Sequence, residues 1–191
     1  MINIRVNNKK ELEKLYKKIF IYKSVVFIFC KFNIRGKYEE VKIINNALNI
    51  KSRRKRIKYI YDKACEMVDY NFKDIKNPCG FKCNKCYTQY KTNKYNGCCR
   101  LCHFQSDKGC LTKNLTCKLF YCTEVRKRHK VIEFDDLKIL KLLSIRQRII
   151  LKHDYFSSEK EVLSDLYFSS LILFSIRLII RMIIYLFRYK K

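Results

Sequence analysis

Residues 79–122 read CGFKCNKCYTQYKTNKYNGCCRLCHFQSDKGCLTKNLTCKLFYC and hold nine of the eleven cysteines in the 191-residue chain. So many thiols in one short stretch need a physical reason: disulfides, a metal or redox chemistry. The compartment separates these. Residues 1–13 are polar, and the apolar run 19–32 has no small-residue cleavage site after it, so no secretory signal is read. A chain that stays in a reducing, cytoplasmic setting keeps its thiols reduced, which places metal ahead of disulfides.

The spacing inside the stretch agrees. Cys83-Asn-Lys-Cys86 and Cys99-Arg-Leu-Cys102 are two hooks separated by twelve residues. Two residues between thiolates let one turn aim both sulfurs at a single ion, and two hooks complete a tetrahedral site of four thiolates. Cys79, Cys98, Cys110, Cys117 and Cys122 supply a second site with one cysteine to spare, and His103 is able to replace a thiolate in either. The nine cysteines are therefore the metal-ligand candidates, for one or two zinc ions, with an iron-sulfur cluster as the alternative cofactor. A structural zinc contributes on the order of 10 kcal/mol to the folding of a small module, which explains how so few aliphatic residues fold there.

Three resemblances attach to these residues. Cys79-Gly-Phe-Lys-Cys83-Asn-Lys-Cys86 resembles the cluster-binding motif of radical S-adenosylmethionine enzymes. Against it, only 105 residues follow Cys86, with no sign of repeated βα units, and Lys85 stands where that family carries an aromatic. The second half, with Cys98 and Cys99, Cys102 and Phe104, Gly109 and Cys110, then Cys117, Lys118, Phe120 and Cys122, resembles the CxxCxxCC zinc/iron-chelating family. It departs in the eleven residues between Cys86 and Cys98 and in Leu115-Thr116, where that family has Arg-Pro. Asn96-Gly97-Cys98-Cys99 and the run from Leu115 to Cys122 are also similar to cysteine-rich proteins of low-GC Gram-positive bacteria, a resemblance that implies a bacterial, cytoplasm-facing chain and no particular activity.

Outward from the cysteines the pattern is helical. With 4 Gly and 1 Pro against 48% hydrophobic residues, long helices are favoured over a turn-rich β fold. Leu12, Leu15, Ile19 and Tyr22 predict a first helix, and the run 24–30 reads as its apolar end or as a buried strand, with helix preferred. Ile57, Ile60, Tyr61, Ala64, Cys65 and Val68 fall on one helical face, with Cys65, like Cys30, read as a small buried hydrophobe. Residues 134–153 return to helical spacing, and Ser158 with Glu161 forms a capping box opening a helix over 159–189. The fold class is mainly α: a helical region over 1–76, an inserted irregular metal-stapled module over 77–124, and C-terminal helices over 125–191 that pack back on the first region.

The net charge of +26 points to polyanions, although Lys, Ile, Asn, Tyr and Phe are all residues of AT-rich codons, and that reading spreads the charge evenly. Arg53, Arg54, Lys55 and Arg56 before the module, with Arg126 and Arg128 after it, are the nucleic-acid candidates, and Tyr87, Tyr90 and Tyr95 are available for stacking. Residues 166–188 are mostly apolar, and Ser170, Arg177, Arg181 and Arg188 fall on a single stripe. Each central arginine costs roughly 3 kcal/mol on insertion, which cancels the aliphatic gain. The stripe suits packing in the fold or against a partner first, an anionic membrane interface second and a membrane-spanning helix third.

No P-loop or dinucleotide-binding glycine pattern is present, and His103, His129 and His153 are too scattered for a triad. The reading is a non-enzymatic metal-binding protein that presents a surface to a macromolecular partner. An iron-sulfur or redox protein and a zinc-dependent nucleic-acid-binding protein are the alternatives.

Overall fold

The computed structural model describes residues 2–26, 31–71, 73, 80, 82–83, 85–92, 105–106, 109–110, 114–155 and 157–189. The protein is mainly helical, with two short strands that the mainly α reading does not include, the first of them in a segment read only as polar. Ile2, Ile4 and Val6 alternate with Asn3 and Arg5 in β1 (Ile2–Val6), and Phe32 and Ile34 alternate with Asn33 and Arg35 in β2 (Phe32–Gly36). The two pair in parallel, in register from Ile2↔Phe32 to Val6↔Gly36. The amphipathic α1 (Lys9–Val26) is the crossover that parallel pairing requires. The preferred helical reading of 24–30 holds as far as Val26; residues 27–30, including Cys30, lie outside the described residues.

A two-stranded parallel sheet leaves edges, and α2 (Glu39–Asn49) covers one of them with side chains. Asn45 and Asn49, one helical turn apart, face β2: the Ile34 amide donates to Asn45 Oδ1 at 2.8 Å, and Asn49 Nδ2 donates to the Phe32 carbonyl at 2.8 Å. Gly36 is required at the end of β2, because a Cβ there would stand 2.5 Å from the Val6 carbonyl oxygen.

The core then follows the helical face read from the sequence. In α3 (Arg53–Asn71), Ile57, Ile60, Tyr61, Ala64 and Val68 are buried, and Cys65 packs half-buried beside them. Residues 134–153 do not form one helix. Glu133 and Asp136 close a capping box over a 3₁₀ turn at Phe134–Asp136, a second 3₁₀ turn at Lys138–Leu142 buries Ile139, Leu140 and Leu142, and Ser144 with Gln147 caps the true helix α7 (Ile145–His153). The second turn packs against α1, α2 and α3.

The helix expected over 159–189 is likewise broken. Ser158 and Glu161 form the capping box of α8 (Glu159–Phe168), which ends at Ser169 in a left-handed conformation with φ 54°. The Ser169 hydroxyl donates to the Leu166 carbonyl at 2.6 Å and accepts from Arg53 at 2.8 Å, which holds the break before α9 (Leu171–Tyr189). Among the described residues no helix is long and apolar enough to cross a membrane. Ser158→Ala is expected to lower stability by about 1 kcal/mol in urea unfolding, because the Glu161 amide loses its acceptor; an unchanged midpoint would contradict the cap.

Candidate functional site

The first cysteine hook is a tight turn. Lys82 and Lys85 exchange reciprocal backbone hydrogen bonds of 2.8 and 3.0 Å, and Cys83 occupies a positive φ of 46° between them. Cys86 follows at once and starts α4 (Tyr87–Thr92), its carbonyl accepting from the Tyr90 amide at 3.1 Å. The Tyr90 hydroxyl reaches back to the turn, donating to the Lys82 carbonyl at 3.1 Å and meeting the Cys83 thiol.

The far end of the cysteine stretch comes to the same helix. Cys122 precedes α6 (Thr123–Arg128), and its sulfur lies 3.4 Å from Thr88 Oγ1 on α4. Lys91 pairs with Glu124 at 3.4 Å, and the Arg128 guanidinium stacks 3.6 Å from the centre of the Tyr87 ring. Chain order separates Cys86 from Cys122 by a long excursion, so this packing brings the two ends of the stretch together.

Between them, α5 (Leu115–Leu119) joins the stretch to the helical body. Asn114 caps the helix by accepting from the Cys117 amide at 2.8 Å, and its own amide group donates to the Ser157 carbonyl at 2.5 Å. The buried Leu115 amide donates to the Tyr61 hydroxyl at 3.1 Å, and Thr116 donates to the Leu151 carbonyl at 2.5 Å. These bonds satisfy buried polar groups that would otherwise oppose folding. Leu115-Thr116, the departure from the resembled zinc/iron-chelating family, is thus the anchor between the cysteine stretch and the core.

Of the ligand candidates, Cys83, Cys86, Cys117 and Cys122 are placed as above, and Cys110 lies in β4 (Gly109–Cys110), paired antiparallel with β3 (Gln105–Ser106). Cys79, Cys98, Cys99, Cys102 and His103 lie outside the described residues. Among the described residues no three His, Cys, Asp or Glu side chains gather closely enough to hold a metal.

Cys65, read from the sequence as a buried thiol, is half-buried and packs against the core. Burial pushes its pKa from 9.0 up to about 11, with the nearby Lys118 ammonium pulling the other way. A rise of that size lowers the thiolate fraction near neutral pH roughly hundredfold, so iodoacetamide should label Cys65 about a hundred times more slowly than a solvent thiol. Peptide mass spectrometry reads this, and labelling at the ordinary rate would contradict it. The folded value lies above the unfolded one, so the stabilisation this thiol provides is full below about pH 9 and is lost as pH rises toward about 11.

The nucleic-acid candidates are mostly engaged within the molecule. Arg53 donates to the Tyr167 carbonyl at 3.0 Å, Arg54 lies over the Tyr167 ring, and the buried Arg56 donates to the Ile50 carbonyl at 3.2 Å. Arg126 pairs with Glu133 at 2.5 Å, and Lys55 is exposed at the start of α3. A basic pair that sequence reasoning missed sits on the outer face of the sheet. Arg5 and Arg35 are register partners across β1 and β2, above Asn3 and Asn33, which share a 2.9 Å hydrogen bond. Like charges directly opposite oppose sheet formation. The signal for it was the period-two alternation in each five-residue segment.

No family model, curated protein or solved structure matches this chain. The resemblances drawn from the cysteine spacing therefore rest on those residues alone.

The stripe on α9 has its own partners. Asp154, fully buried after α7, meets Arg177 at 3.2 Å and Arg181 at 3.4 Å, and its carboxylate also accepts from the Ser157 hydroxyl. Arg181 reaches Glu161 at 2.7 Å, and Arg177 pairs with Asp165. Burial raises the Asp154 carboxyl above its ordinary value, while Ser157 and the two guanidiniums pull it back. For Glu161 the balance falls the other way. Burial again raises it, but the Ser158 amide and hydroxyl and Arg181 outweigh that and hold it low.

Proposed function

We propose that the protein is a cytoplasmic metal-binding protein in which residues 77–124 form an irregular module stapled by zinc and held against a helical body, with no reaction of its own. One observation supports it above the rest: the turn bearing Cys83 and Cys86 and the distant Cys122 both pack on the short helix α4, through Tyr90 and Thr88, although these three thiols do not by themselves gather into a metal site. Four-thiolate zinc is closed to substrate, so the module's role is to shape a surface for a macromolecular partner.

Cys83→Ser and Cys86→Ser are each expected to lower bound zinc by one ion per chain, measured by elemental analysis of the purified protein, while Cys65→Ser leaves it unchanged. Retained metal in both hook variants would contradict the ligand assignment.

A second reading, nucleic-acid binding, is favoured by the solvent-facing pair Arg5 and Arg35, placed side by side without an acidic neighbour on either strand. If that face tracks a phosphate backbone, affinity for a single-stranded oligonucleotide falls steeply with salt, and Arg35→Ala reduces the log–log salt slope by about 1. A salt-independent interaction would remove this reading.

A further inference from the structure

The C-terminal helix is built inside out. Between Leu171 and Phe187 its charged residues are Arg177 and Arg181, and both turn inward to Asp154, Glu161 and Asp165. Phe174 is buried beside them. The opposite face carries Ile172, Ile176, Ile179, Ile180, Ile183 and Phe187, each between 46% and 74% exposed. A helix on the surface of a water-soluble protein shows the reverse arrangement, with its apolar stripe on the core. At about 1.5 Å per residue the helix extends roughly 28 Å, so this is a continuous apolar strip larger than scattered surface hydrophobics account for.

Charge decides what covers it. From Tyr167 to Lys191 the sequence has no Asp or Glu against five Arg and Lys residues, and the whole chain carries +26. A second copy of the chain would bring another +26 of like charge to the same strip. An anionic lipid surface supplies both an apolar phase for the isoleucines and a negative layer that attracts a chain of net charge +26. The inner face is held to the body by the ion pairs, so the helix is presented lying flat with only its apolar side free. We propose that α9 docks the protein on the interface of an anionic membrane as a peripheral, non-spanning helix. This does not depend on the metal module.

The test uses the full chain and vesicles of mixed phosphatidylglycerol and phosphatidylcholine, against vesicles of phosphatidylcholine alone. Flotation is expected with the anionic vesicles, with affinity falling about tenfold for each of Ile176→Glu and Ile180→Glu as an apolar contact becomes a repelled charge. Both positions face outward, so unfolding midpoints should not fall. Since the sequence has no tryptophan, Phe187→Trp adds a single indole whose emission should shift to the blue when anionic vesicles are added, a readout that survives even if the glutamate variants fold poorly. Equal binding to neutral vesicles, binding untouched by both substitutions, or an unshifted indole would overturn the proposal. So would a two-copy species in sedimentation velocity that the same substitutions abolish while vesicles stay unbound.

Discussion

Asp154→Ala is expected to lower the stability of the fold by about 3–5 kcal/mol, read as a large drop in the urea midpoint. The side chain is completely buried, and its two oxygens face Arg177, Arg181 and the Ser157 hydroxyl. Truncation leaves two largely buried guanidiniums without their central anion. Glu161 and Asp165 keep one contact each with Arg181 and Arg177, which limits the loss, but neither occupies the position between the two cations. The damage also spreads, because the Asp154 carbonyl lies 3.4 Å from Asn114 Nδ2, the residue that caps α5 and anchors the cysteine stretch. Asp154→Asn keeps the volume and an acceptor for Ser157, so it should be milder than alanine. A change below about 1 kcal/mol for the alanine variant would mean that the ionic cluster does not hold α9 to the body.

Withdrawal of metal is the second large effect. Chelation is expected to remove on the order of 10 kcal/mol of folding free energy per structural zinc from the cysteine module, and the loss should be local. The body has its own core in α1, α2, α3 and the Lys138–Leu142 turn, and α5 is fastened to it by Tyr61 and Leu151. Limited proteolysis with a chelator should therefore cut within residues 79–113 and spare α3 and α7. Cleavage unaffected by chelation would show that the module folds without metal; simultaneous loss of α3 would show that the two parts are not separable.

Legibility in the sequence varied with the kind of signal. The buried face of α3 was readable because Ile57, Ile60, Tyr61, Ala64 and Val68 repeat at helical spacing over more than three turns, and a pattern that long averages out local accidents. The Ser158–Glu161 box was readable because capping is a contact between near neighbours. The strands were not, because five residues of alternation in INIRV and FNIRG carry little weight alone, and their pairing across α1 is a long-range fact. On α9 periodicity showed that Arg177 and Arg181 share a face, but not which way that face points. What turns it inward is Asp154, 23 residues before Arg177 in the connection between α7 and α8.

The same division applies to the candidate site. Spacing singled out the Cys83–Cys86 hook, and the Lys82–Lys85 turn gives it a definite local geometry. The approach of Cys122 to α4 through Thr88 had no sequence signature, since it depends on how α5 is seated on the body. Arg53, Arg54 and Arg56 looked like one basic run, yet Tyr167, Ser169 and Ile50 take up their guanidiniums. Charge runs indicate sign but not partner, and here the partners lie within the chain.

The central claim, a zinc-stapled module, is tested most directly by metal content together with an absorption spectrum on protein purified anaerobically without added metal. One or two zinc ions per chain and no visible band is the predicted result. Iron with sulfide and a broad band near roughly 400 nm, or protein that folds with no metal at all, would contradict it.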